Sequence, residues 1–303
     1  MSEPGSWEAR RERSNAFWVV LITWIACHLG RPLARLILWP TVAYFLCFTP
    51  ASRDASRDYL RRALGREPRL ADLARHYHCF AACTLDRVLL LGKGARTLDV
   101  QMHRDPAVRK LIESSQGCLL LVCHHGSFEA MRVLGQSEYG LPIRIVLDRQ
   151  HGRIVTQVLE RLNPELAATV IDASERGPDF TLALRDALDE GAAVGLMADR
   201  IREGEPAIEV TLLGERIRLP TSPWIMAAVL RVPVLIAFCL YRGGDRYDAY
   251  VELLADRVEL SRQDRETGIR QWAQRYADRL GYFIREAPYN WFNFYPFWID
   301  PQS

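Results

Sequence analysis

Apolar and polar positions along this chain fall into blocks that predict strands and helices in turn. Cys118 to Cys123 is an uninterrupted apolar run, the mark of a strand buried on both faces. It stops at His124, His125, Gly126 and Ser127, and a helical pattern follows with Glu129 in its first turn. Ile143–Leu147, Thr169–Asp172 and Ala192–Ala198 read as further strands, and Gly152–Leu162 and Phe180–Glu190 as helices. Gly191 is the expected stop signal for the second of these helices. Strands and helices alternating at these lengths make βαβ units, so the predicted class is α/β: a mostly parallel central sheet flanked by helices. Further on, Ile208–Leu219 reads as strands around Leu213-Gly214-Glu215. Thr221 or Ser222 then caps a helix with Pro223 in its first turn. Val232–Tyr241 is a last buried strand, which Gly243-Gly244-Asp245 folds into a hairpin with Tyr247–Leu254. A long amphipathic helix covers Ser261–Arg285.

The N-terminal part follows a different pattern. Residues 1–16 are polar and arginine-rich, Phe17–Leu29 is almost wholly apolar, and a second apolar block, Leu36–Phe48, follows Gly30-Arg31-Pro32. No small-residue cleavage site follows, so a removable signal peptide is not expected. Neither block reaches the roughly 20 residues that cross a bilayer. Two membrane readings stay open: one kinked span, or a broken hairpin in one leaflet with Trp18, Trp24, Trp39 and Tyr44 near the headgroups. A buried soluble hairpin is the third reading, but so many tryptophans with so few polar residues make a poor soluble surface. The expected division is a membrane-anchoring segment over 1–50 and a catalytic domain over 51–303. Ser52–Leu91 reads as helical, with Arg53, Arg57, Arg61, Arg62, Arg66 and Arg69 forming either a basic docking surface or a solvated face. On it His76 and His78 face different sides as structural residues, and Asp86-Arg87 reads as a local pair. Asp105–Ser114 is one more helix.

Composition narrows the chemistry. A net charge of +2 over 303 residues excludes a polyanion binder, so nucleic acid is not an expected partner. Seven cysteines lie mostly in apolar surroundings without paired Cys-x-x-Cys units, which points to reduced core residues and not to zinc. Cys123 makes a poor nucleophile with His124, because neighbours on a strand face opposite ways. His124 stands at the carboxyl edge of the sheet, where open α/β folds bind ligands. Four residues separate it from Glu129 across a turn that Gly126 eases, so the carboxylate can fold back onto the imidazole. A carboxylate on one ring nitrogen leaves the other free to take a proton from a hydroxyl. The alternative is a histidine-rich loop with a solvated glutamate. Asp199-Arg200 ends another buried strand, and Arg200 there either meets a phosphate or developing negative charge, or forms a salt bridge within the fold. His124, His125 and Glu129 form no closed metal-ligand set.

The box His124-His-Gly-Ser-Phe-Glu129 resembles the H-x4-D/E signature of the glycerolipid acyltransferase superfamily. More narrowly it is similar to the bacterial lipid A biosynthesis lauroyl/myristoyl acyltransferases, with Ser127 and Phe128 in place of a common Asn-Trp pair. Asp199-Arg200, the Gly214-Glu215 block before Thr221, and the aromatic tail from Glu286 to Trp298 resemble further segments of that family. The resemblance implies a glycerolipid-acyltransferase-like fold and O-acyl transfer from an acyl carrier protein thioester to a glycolipid or phospholipid-like acceptor. It implies no cofactor besides that co-substrate, and a place on the cytoplasmic face of the bacterial inner membrane. His124 and Glu129 would be catalytic; Arg200, Asp199, Gly126, Ser127, Gly214 and Thr221 would line the substrate site. Ser127-Phe128 and the Phe-Asn-Phe-Tyr tail are also similar to a branch acting on aryl-polyene-type lipids. A thioesterase with Ser127 as nucleophile lacks the second glycine of a nucleophile elbow. A non-catalytic membrane scaffold is the remaining alternative. The tail either caps the core or sits at the membrane interface.

Overall fold

A computed structural model describes residues 31–93, 98–149, 153–174, 177–202 and 204–299. The first apolar block, Phe17–Leu29, with Trp18 and Trp24, therefore lies outside the described residues. The chain begins with α1 (Arg31–Phe48), α2 (Pro50–Leu64) and α3 (Leu70–Lys93), then β1 (Asp99–Arg104) and α4 (Pro106–Glu113). The stretch read as one helical region breaks at Gly65, which adopts φ 64° and ends α2. The strand β1 was not predicted; its alternating half-exposed pattern is that of an edge. Next come β2 (Cys118–Val122), α5 (Phe128–Tyr139), β3 (Ile143–Leu147), α6 (Arg153–Leu162), α7 (Pro164–Ala168) and β4 (Ile171–Asp172). They are followed by α8 (Pro178–Asp189), β5 (Ala193–Met197), β6 (Ala207–Leu212), β7 (Glu215–Pro220) and α9 (Ser222–Leu230). The hairpin β8 (Val234–Gly243) and β9 (Arg246–Ala255) and then α10 (Arg265–Glu286) complete the order.

The seven-stranded sheet has the order β1-β9-β8-β2-β5-β3-β4. Only the β8/β9 pair within it is antiparallel, as the Gly243-Gly244 turn predicts. β6 and β7 form a separate antiparallel ribbon. The continuous apolar run of β2 is explained by helices on both faces. Leu119, Leu121 and Cys123 enter one apolar cluster with α8, α9 and α10. Cys118, Leu120 and Val122 enter the other with α1, α3 and α5. His124 follows Val122 by two residues, so it projects to the side of α3 and α5.

No single helix among the described residues is long and apolar enough to cross a membrane. The pair 34–48 and 50–64 has the length and composition to do so together, but it bends by 98° at the break. α1 buries Ala34, Leu38 and Val42, spaced four apart, and leaves Leu36, Trp39, Tyr44 and Phe48 exposed. Asp86 does not pair with Arg87. It lies on the buried face of α3, where its Oδ2 accepts the Tyr247 hydroxyl at 2.8 Å and meets Arg35 of α1 at 3.4 Å. His76 is fully buried, while His78 stacks on Trp39 at 4.6 Å, the divergence expected for residues two apart on a helix.

Candidate functional site

β2 and β5 pair in parallel with Val122 opposite Met197, so two residues further His124 and Asp199 leave the sheet side by side. The imidazole Nδ1 lies 2.9 Å from Asp199 Oδ1. A carboxylate only accepts, so Nδ1 carries the hydrogen and the neutral ring presents a lone pair on Nε2. Among the described residues no group bonds to that Nε2, and the His124 side chain is 31 % exposed while that of Asp199 is 1 % exposed. Two more donors hold the carboxylate, both on Oδ2: the His124 backbone N–H at 2.9 Å and the Trp291 indole N–H at 3.0 Å.

Charge follows from this arrangement. Burial alone would raise the Asp199 pKa, but the imidazole, Arg200 and the donated hydrogens hold it well below the usual carboxylate range. His124 is shifted down, first by burial and then by the Arg200 charge, which together outweigh the attraction of Asp199; Arg87 adds in the same direction. At neutral pH the site therefore holds an ionised Asp199 and a neutral, partly exposed His124, the state in which an imidazole takes up a proton.

Glu129 does not fold back onto His124 as the spacing suggests. It sits buried in the first turn of α5, and its Oε1 accepts Arg132 Nε at 2.6 Å within an i, i+3 pair on the same helix. Arg132 also donates to Gln136 Oε1 at 3.1 Å. Ser127 is the N-cap of α5: its hydroxyl accepts Ala130 N–H at 3.2 Å, a role that fixes it in place and that a nucleophile elbow would not give it. Gly126 has φ 72°, and a Cβ there would lie 1.7 Å from the Cys239 carbonyl oxygen, so only glycine fits. Its N–H donates to Asn290 O at 2.8 Å and that of Ser127 to Cys239 O at 2.9 Å. The backbone N–H groups of Gly126 and Ser127 are thus both bonded within the fold. Cys123 points to the opposite face, where burial pushes its thiol well above the ordinary value.

Arg200 donates to Phe292 O at 2.9 Å and lies 5.5 Å over the Tyr295 ring. Of the aromatic tail, Trp291 and Phe292 are buried against the core, as the capping reading expects, and Phe292 N–H donates to the His124 carbonyl at 2.8 Å. Gly214 and Thr221 stand apart from the His124–Asp199 pair in role. Leu213 and Gly214, at φ 54° and 89°, make the two-residue turn of the β6/β7 ribbon. Thr221 stands at the N-cap of α9, but its hydroxyl donates to Pro206 O at 3.2 Å and makes no cap bond. It lines a groove of about 340 Å³ between α8 and α9, walled by Phe180, Leu184, Ile225, Met226 and Val229. Asp199 as the partner of His124, and Trp291 and Arg132 as any part of the site, were missed by sequence reasoning. The available signal for Asp199 was that both residues are the first polar positions after buried strands.

The model of a protein family described as bacterial lipid A biosynthesis acyltransferase matches residues 3–299 of the chain. No individually curated protein gives a significant match.

Proposed function

The chain belongs to the bacterial lipid A biosynthesis acyltransferase family, and from that premise we propose that it moves a fatty acyl group from an acyl carrier protein thioester to a hydroxyl of a membrane glycolipid or phospholipid-like acceptor. The family makes it an O-acyltransferase of the lipid A type in general; donor, acceptor and mechanism are our reading. The observation that carries the reading is the neutral imidazole of His124, held through Nδ1 by buried Asp199 with Nε2 unbonded.

Nε2 removes the proton of the acceptor hydroxyl as that oxygen attacks the thioester carbonyl carbon. The resulting imidazolium is stabilised by Asp199. The carbon–sulfur bond then breaks, the ester forms, and the departing thiolate takes the proton back from the ring. Proton transfer of this kind is worth about 10²–10⁴-fold, so holding two lipidic substrates in line supplies much of the remainder. Arg200 and Arg87 place positive charge near the imidazole, which favours an acceptor with an anionic group beside its hydroxyl. Glu129, in this reading, keeps α5 and the turn in shape through Arg132. The groove lined by Thr221 has the apolar character an acyl chain requires. We place the protein on the cytoplasmic face of the inner membrane, with the exposed apolar face of α1 in the interface and Arg57 and Arg61 of α2 near lipid phosphates.

The test incubates membranes containing the protein with labelled acyl carrier protein thioester and a lipid extract, wild type beside His124→Ala. Label in a new lipid that disappears in the variant supports transfer. Label released as free acid by wild type alone indicates a thioesterase, and equal lipid labelling by both proteins overturns the assignment of His124.

A further inference from the structure

The segment after α10 runs beside the turn that carries His124. Gly126 N–H donates to Asn290 O at 2.8 Å, Phe292 N–H donates to His124 O at 2.8 Å, and His125 and Trp291 pair between them as an antiparallel bridge. The segment is pinned from three other elements. Asn290 accepts Tyr241 N–H of β8 through Oδ1 at 2.6 Å and donates from Nδ2 to the Tyr241 carbonyl at 3.3 Å. Tyr59 of α2 donates to Pro288 O at 2.6 Å. His76 of α3 contacts Trp291 O through Nε2 at 2.9 Å, and because a carbonyl only accepts, that nitrogen carries the hydrogen. Its Nδ1 then accepts the Ser56 hydroxyl at 2.7 Å. Burial pushes this histidine down to about 4, so the link persists as a neutral one at physiological pH.

All of this places one indole. Trp291 is 1 % exposed, its ring rests against Tyr59, Phe297 and Trp298, and its N–H points at Asp199 Oδ2 at 3.0 Å. We propose that Trp291 is a positioning residue for acyl transfer, whose indole N–H fixes the Asp199 carboxylate so that Oδ1 alone faces the His124 ring. The proposal rests on the reading of His124 as general base. A carboxylate held by one backbone N–H can turn about its Cβ–Cγ bond and offer either oxygen. With two donors on Oδ2, turning breaks both. The imidazole then has one partner oxygen in one direction, and its Nε2 lone pair is aimed at one place. The tail thus completes the catalytic pair, although it lies about 90 residues downstream of Asp199.

Two substitutions remove the N–H: Trp291→Phe, which keeps an aromatic ring but is smaller, and replacement by β-(3-benzothienyl)alanine, which keeps the bicycle with sulfur in place of nitrogen. Each is compared with wild type for kcat, KM and the pH dependence of kcat/KM. Loss of an orienting partner typically costs about 10- to 100-fold in rate. We expect kcat to fall by that factor with KM within about twofold. The acidic limb moves to higher pH, because a carboxylate with one donor fewer stabilises the imidazolium more strongly. A purely structural role changes the amount of folded protein and leaves the limb where it was. Unchanged kcat and an unmoved limb in the folded benzothienyl variant overturn the proposal. His124→Ala in the same assay separates the two claims. If it is inactive beside an unchanged Trp291 variant, only the role of Trp291 falls. If it is fully active, the base assignment falls as well.

Discussion

Replacing Asp199 by asparagine changes one atom and reverses the chemistry expected of His124. In wild type, Oδ2 accepts two N–H groups, from the His124 backbone and the Trp291 indole, and Oδ1 accepts Nδ1–H. Asparagine offers one acceptor and one donor. With its NH2 on the Oδ2 side, two buried donors lose their acceptor, at about 1–3 kcal/mol each. With its NH2 on the Oδ1 side, both donors stay satisfied, and the amide then donates to Nδ1. That forces the hydrogen of the imidazole onto Nε2, where it blocks proton uptake. The active tautomer is thus disfavoured by roughly 2–6 kcal/mol, or about 30- to 3 × 10⁴-fold in population at about 1.36 kcal/mol per factor of ten. The same exchange in the serine protease triad costs about 10⁴-fold for the same tautomeric reason. Labelled acyl transfer by purified Asp199→Asn should therefore fall by at least about 30-fold in kcat with little change in KM. A rate within about threefold of wild type would refute the tautomer argument, and with it the assignment of Asp199 as the partner of His124.

Other consequences are open to direct measurement. Gly126→Ala must place a Cβ where the Cys239 carbonyl oxygen already sits, at φ 72°, and should cost more than about 3 kcal/mol, seen as a large fall in the denaturation midpoint; a wild-type midpoint contradicts the turn geometry. Glu129→Ala strands the buried Arg132 and should lose about 3–5 kcal/mol, whereas Glu129→Ala with Arg132→Ala regains much of it. The rate per folded molecule of that double variant should stay within about tenfold of wild type, since neither side chain reaches the imidazole; a 10³-fold loss would return Glu129 to the chemistry. Leu36→Glu with Phe48→Glu should abolish binding to vesicles containing anionic lipid without changing thermal stability, because both side chains are about two-thirds exposed. Retained binding would contradict the placement of the exposed face of α1 in the interface.

The fold was legible where each local pattern agreed with the global one. The run Cys118–Val122 reads as a strand covered on both faces and forms one, and Gly243-Gly244 reads as the turn that joins β8 to β9 and does so. The edge strand β1 escaped because it is half exposed and short of apolar residues, so its pairing with β9 supplies what its sequence does not. At the site the sequence placed His124 and Asp199 correctly at strand ends but paired His124 with Glu129. Spacing along the chain decides that two groups can meet, whereas strand order decides which groups do. β5 lies next to β2 although about 70 residues separate them, and that adjacency puts Asp199 nearer than the carboxylate five positions away. Glu129, for its part, found a cation one helical turn on. Trp291 was invisible for a related reason: its function is one hydrogen bond to a residue far upstream, and its aromatic setting reads equally as core.

The central claim is that His124 rests as a neutral imidazole with its hydrogen on Nδ1 and a free lone pair on Nε2. The 15N spectrum of the protein labelled at histidine, followed from pH 8 downward with His124→Gln to assign the signal, measures this directly. The account predicts a protonated Nδ1 and an unprotonated Nε2 at neutral pH, with Nε2 gaining its proton only below the ordinary histidine value of about 6.5. A hydrogen found on Nε2 at neutral pH, or a ring already doubly protonated there, would contradict it.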